Sequence, residues 1–158
     1  MTILILALLI GVVAGLRAMM APAAVSWAAH FGWLHVDGTW LAFLGYRFTP
    51  WILSVLALAE LVTDQLPSTP SRKVPPQFIA RLLTGGLSGG AIGAAGGAGG
   101  GSIAAGIVAG LIGAVIGTYG GAAARTKLAG LFGSDRPAAL IEDAVAIAGA
   151  YLIVCCAA

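Results

Sequence analysis

Five charged side chains, Arg17, Glu60, Asp64, Glu142 and Asp143, stand inside or at the start of long apolar stretches of this sequence. A charge near the centre of a bilayer costs at least ~2.5–3.5 kcal/mol, so such residues are retained where they bind, relay protons or pair. Glu60 and Asp64 are one helical turn apart and share a helix face. Their carboxylates, with those of Glu142 and Asp143, could bind a cation or carry a proton. Arg17 could hold an anion or serve as counter-ion, and Thr63, Thr118 and Tyr119 could add hydroxyls. The spacing predicts a polar cavity lined by these residues in one half of a membrane. A plainer chemistry uses the same groups. Glu142 and Asp143 would offset the dipole in a first helical turn, Asp64 would be solvated near an interface, and Arg17 would pair with Glu60 to lower the burial cost of both.

The elements that must position these groups are read from composition. Of the 158 residues, 59% are hydrophobic and 9% charged, with a mean hydropathy of +1.00. Soluble domains carry roughly 25% charge, so most of this surface is expected to face lipid as a single all-α, polytopic membrane domain over 1–158. About five transmembrane helices are expected. The first, Thr2 to Ala29, exceeds a single straight crossing and holds Pro22, which predicts a break near Met20–Ala23. A loop with both histidines follows, ringed by Trp27, Trp33, Trp40, Trp51 and Tyr46 as an interfacial belt. The second span starts near Trp40 or at Pro50 and ends at Pro67, and Pro67–Gln77 is the main loop. The third and fourth cover about Phe78–Gly97 and Ser102–Ala124, joined by the hairpin Gly99–Ser102. Arg125–Arg136 reads as a second basic loop, and the fifth span runs from Pro137 to the C-terminus.

Glycines recur every four residues through spans three and four, as in Gly85/Gly89/Gly93 and Gly113/Gly117/Gly121. This small-xxx-small spacing lets helix backbones approach closely, either inside one chain or as a homo-oligomer face. Arg72, Lys73 and Arg81 flank one loop, and Arg125, Lys127 and Arg136 the other, as cytoplasmic anchors. The positive-inside rule then places the N-terminus in the cytoplasm and the C-terminus outside. Gly11–Leu16 (GVVAGL) recurs as Gly106–Leu111 (GIVAGL). With five spans the two copies run in opposite directions, which reads either as an inverted repeat of the transporter kind or as chance similarity in a biased composition.

The blocks Gly15–Ala24 (GLRAMMAPAA), Glu60–Arg72 (ELVTDQLPSTPSR), Gly117–Gly121 (GTYGG) and Glu142–Ile147 (EDAVAI) resemble an uncharacterised bacterial inner-membrane protein family, known as a domain of unknown function. The resemblance implies a bacterial inner (plasma) membrane location and brings no activity or functional residue with it. Adjacent Cys155 and Cys156 show neither disulfide nor metal spacing. No nucleophile–base signature, metal cluster or phosphate loop appears, so no enzyme activity, cofactor or metal is expected, and the weak net charge of +2 speaks against nucleic acid. The lipid bilayer is the expected partner. Two functional classes remain: a transporter or channel for an unknown small ion or polar solute, and a structural or accessory protein whose charges pair internally.

Overall fold

The computed structural model describes residues 1–64, 74–97 and 100–158. Among them the chain is helical: α1 (Thr2–Leu16), α2 (Met20–His30), a short 3-10 segment (Trp40–Gly45), α3 (Thr49–Thr63), α4 (Pro75–Ala95), α5 (Gly100–Phe132) and α6 (Asp135–Ala157). Three of these, α4, α5 and α6, are long and apolar enough to cross a membrane. α1 and α3 are apolar but only 15 residues long, about 22 Å each. The outer surface suits lipid: Val55, Leu58, Leu83 and Leu140 are each more than 60% exposed, an apolar shell that water would disfavour.

Three helices pack backbone to backbone. Gly85 lies against Gly110 and Ala114, Gly89 against Gly106, and Gly93 against Ser102, so α4 and α5 are antiparallel. Gly113 meets the backbone of Leu8 and Val12, and Gly117 that of Val12 and Gly15, so α1 runs parallel to α5. A Cβ at Gly113 or Gly117 would fall on a carbonyl oxygen of α1. The glycine stripe is therefore consumed inside the chain, where bare backbone permits contacts that any side chain would block. Around it, Ile10, Val25, Leu34, Leu41, Leu44 and Ile92 are fully buried.

The direction of each helix corrects two expectations. Ile3 sits beside Gly96, whereas Ala14 sits beside Gly85, so α1 descends from the end of the bundle where α4 finishes. At Arg17 the chain turns extended (φ −139°, ψ 111°). α2 then returns: its Ser26 hydroxyl donates to Leu44 O at 2.5 Å, and Leu41 of the same 3-10 segment reaches Gly90, in the last third of α4. Residues 2–29 are thus a hairpin of two antiparallel helices and not one kinked crossing. The extra reversal sets α1 parallel to α5, so the Gly11–Leu16 and Gly106–Leu111 copies are not inverted relative to each other. It also brings both termini to one end, since Val13 lies against Gly149 and Arg17 against Asp143.

The break itself lies at Arg17–Met19, upstream of Met20–Ala23. Pro22 is the third residue of α2, in a first turn whose N–H groups have no helical partner, so its missing donor removes nothing. Pro22→Ala is accordingly expected to cost no more than about 1 kcal/mol in a thermal or denaturant melt. A larger loss would show that proline shapes the reversal.

The basic segment Arg125–Arg136 is not a loop: α5 continues to Phe132, and the chain turns at Gly133, whose φ of +68° suits glycine past a helix end. Nothing in Ala122–Leu131 breaks a helix. The third span starts at Pro75, ahead of the expected Phe78, with proline in the first turn. Most of the loop Pro67–Gln77, including Arg72 and Lys73, lies outside the described residues, as does Gly99 of the expected hairpin. Gly100–Ser102 of that hairpin already belong to α5.

Candidate functional site: a charged layer at the helix break

Two half-helices ending face to face leave unsatisfied backbone groups: carbonyls at the end of α1 and amides at the start of α2. Ionised side chains take up both sets. The Arg81 guanidinium of α4 donates to Gly15 O at 2.6 Å and to Leu16 O at 2.7 Å. The Glu60 carboxylate of α3 accepts from the amides of Ala18 and Met19, each at 2.8 Å. A cation at a helix C-terminus and an anion at a helix N-terminus each match the helix dipole. The two caps lie close to each other, with Arg81 Nη2 3.7 Å from Glu60 Oε1.

Arg17, at the reversal, is fully buried. It forms ion pairs with Asp64 at the end of α3 and with Asp143 in α6. The acids paired with Arg17 are Asp64 and Asp143, not the expected Glu60, whose carboxylate is engaged by the Ala18 and Met19 amides just ahead of α2. Beyond Asp143, Arg125 of α5 reaches Asp135 with bonds of 2.9 and 2.5 Å and lies 3.7 Å from Glu142. Thr118, also buried, donates to Ala114 O at 2.8 Å, and its hydroxyl lies 3.4 Å from Gly15 O at the break.

The structure therefore gathers Arg17, Glu60, Asp64, Asp143 and Thr118 around the break, with Glu142 one step away through Arg125. Thr63 is exposed, its hydroxyl bonded to Glu60 O at 3.1 Å on its own helix. Tyr119 points out of the layer: it is half exposed, with its ring 5.9 Å from that of Phe78. Lys127 and Arg136 are exposed beyond the layer. Arg81, expected as a loop-flanking anchor, is 2% exposed and belongs to the site. Its signal was present in the spacing: Arg81, Gly85, Gly89 and Gly93 are four apart, so Arg81 continues the glycine face that packs on α1. Asp135 and the backbone groups of residues 15, 16, 18 and 19 are the other members that sequence reasoning missed.

Three guanidinium groups meet four carboxylates in this layer, and Arg125 also reaches the exposed Asp135 at the start of α6. Arg17 and Arg81 are sealed, while Arg125 keeps 18% of its side-chain surface open and Asp64, Asp143 and Glu60 keep 11%, 12% and 15%. The layer is not at the edge of the bundle: α4 begins six residues before Arg81, and α6 eight residues before Asp143, so these helices extend about 9 and 12 Å past it. Chemically, the arrangement presents partly open carboxylates beside buried guanidinium groups at the two ends of a broken helix. Among the described residues no group of three or more His, Cys, Asp or Glu could hold a metal ion. Compared with protein family models, curated proteins and solved structures, the chain matches none of them.

Proposed function

We propose that the chain is an integral protein of the bacterial inner membrane that moves a small ion or polar solute, with protonation or cation binding at the Glu60–Asp64–Asp143 carboxylates as the coupled step. The helix break carries this reading, because both of its ends are held by ionisable side chains. Discontinuous helices whose ends meet charges within a bundle are how many carriers build their sites. Neutralising Glu60 or Asp64 would weaken a cap or the Arg17 pair and let the hairpin tip move. In place of five crossings, we infer four, α3 to α6, with α1 and α2 as a hairpin that enters from one face and stops at the charged layer. Arg125, Lys127 and Arg136 belong to the charged end, so the positive-inside rule assigns that end to the cytoplasm and both termini to the outside. The resemblance to a bacterial inner-membrane family supports the location.

In liposomes, the protein should mediate a proton or solute flux that Glu60→Gln reduces at least several-fold, because the neutral amide keeps the shape of the cap but not its charge. Normal flux in that variant would remove Glu60 from the mechanism. A second reading, a structural or accessory membrane protein, is favoured by one specific observation: Arg17, Arg81 and Arg125 all sit in ion pairs. It predicts no flux from the unsubstituted protein under any gradient.

A further inference from the structure

Away from the charged layer, α2, α3 and α6 enclose a cavity of about 490 Å³. Met20, Trp27 and Phe31 on the α2 side, Leu58 and Leu61 of α3, and Tyr151 of α6 are among its walls. The groove offers almost nothing to a polar ligand, since the Ser54 hydroxyl on its wall already accepts the Trp27 indole N–H at 2.9 Å. Leu58, Tyr151 and Phe31 are each about 60% exposed, so it opens sideways onto the same apolar surface that would face lipid. From Met20 to Phe31 it runs about 16 Å, close to the depth of one leaflet, about 15 Å, half of the ~30 Å hydrocarbon core. One end lies at the charged layer, the other among the rings of Phe31 and Trp33, 5.8 Å apart. At that aromatic end Arg47 is the lone lysine or arginine among the described residues. It is exposed, sits above the Phe48 ring and lies two residues ahead of α3, next to its N-cap Phe48.

We propose that this groove is a binding site for one acyl chain of an anionic phospholipid from the leaflet on the aromatic side, with its phosphate drawn to Arg47 and the α3 N-terminus. Length and wall chemistry select the chain, and charge complementarity at the mouth selects the headgroup. The site rests on the membrane reading alone and is independent of transport.

The test uses protein reconstituted in phosphatidylcholine vesicles, with Trp27 as sole tryptophan through Trp33→Phe, Trp40→Phe and Trp51→Phe. Small fractions of mid-chain brominated phosphatidylglycerol or brominated phosphatidylcholine are then added. Trp27 fluorescence should be half quenched at a several-fold lower fraction of the anionic lipid, and Arg47→Gln should erase that preference. Ala57→Leu, which fills the groove, should cut the quenching several-fold, and the unsubstituted protein should show a partial quench at the same low anionic fraction. Quenching that follows bromolipid fraction whatever the headgroup would overturn the site, as would protection of Trp27 from both lipids by a second copy seated in the groove. Flotation of the protein with the vesicles separately tests the membrane reading, whose failure would leave it in the unbound fraction.

Discussion

Arg17→Met should lower the stability of the folded protein by roughly 3–5 kcal/mol, the usual cost of stripping one partner from a buried ion pair. The reason lies less in the lost arginine than in what it leaves behind. Asp64 and Asp143 approach from different helices, α3 and α6, and meet on the same guanidinium. Without it, two carboxylates face each other in a nearly closed site, and either both stay charged and repel or one takes up a proton. Equilibrium unfolding in micelles would read the loss. The triple variant Arg17→Met, Asp64→Asn, Asp143→Asn should recover most of it, since removing all the charges together leaves none unpaired. A single variant as stable as the parent would show that the aspartates do not depend on Arg17. Because Glu60 and Arg81 cap the helix ends separately, the hairpin should keep its reversal even where Arg17 is lost.

Gly113→Val should be comparably damaging, at about 3 kcal/mol or more, near or beyond the upper range for overpacking. The new Cβ would land on the Leu8 carbonyl oxygen, with Val12 N 2.9 Å and Gly11 Cα 3.0 Å away. All three are backbone, so no side chain can swing aside, and α1 must separate from α5. Gly120→Val on the same helix is the matched control. Nothing lies within 4 Å of its Cβ position, so its melting transition should stay within about 1 kcal/mol of the parent, given the small helix-propensity difference between glycine and valine. Equal losses at both positions would show that glycine content, and not the α1–α5 contact, stabilises the fold.

The charged residues that cost alone singled out are largely those the fold gathers. Arg17, Glu60, Asp64 and Asp143 were legible because charge is rare in this chain and each stands in apolar surroundings. Their partners were harder to read. Glu60 was expected to meet Arg17, but its oxygens take backbone amides that exist as free donors only because the helix breaks at residue 17. Tyr119 was singled out for its glycine neighbours, yet Gly120 beside it faces open space, and the ring turns outward. Pro22 drew attention as a helix breaker although its place in a first turn makes it harmless. Arg81 was counted with the loop charges because it follows a proline-rich segment, whereas its four-residue register with Gly85 placed it on the packed face.

Composition alone specifies a helical, lipid-compatible chain, because so few charges cannot clothe a water-facing surface. The four-residue glycine spacing specifies which helix faces close on each other, a local geometric property. The reversal at Arg17, the shared end of the two termini and the parallel pairing of α1 with α5 arise only in three dimensions. A helix end is tolerated inside a bundle only where its carbonyls and amides find partners. Those partners, Arg81 and Glu60, come from α4 and α3, 64 and 43 positions along the chain from Arg17. No reading of the local sequence around Arg17 contains them.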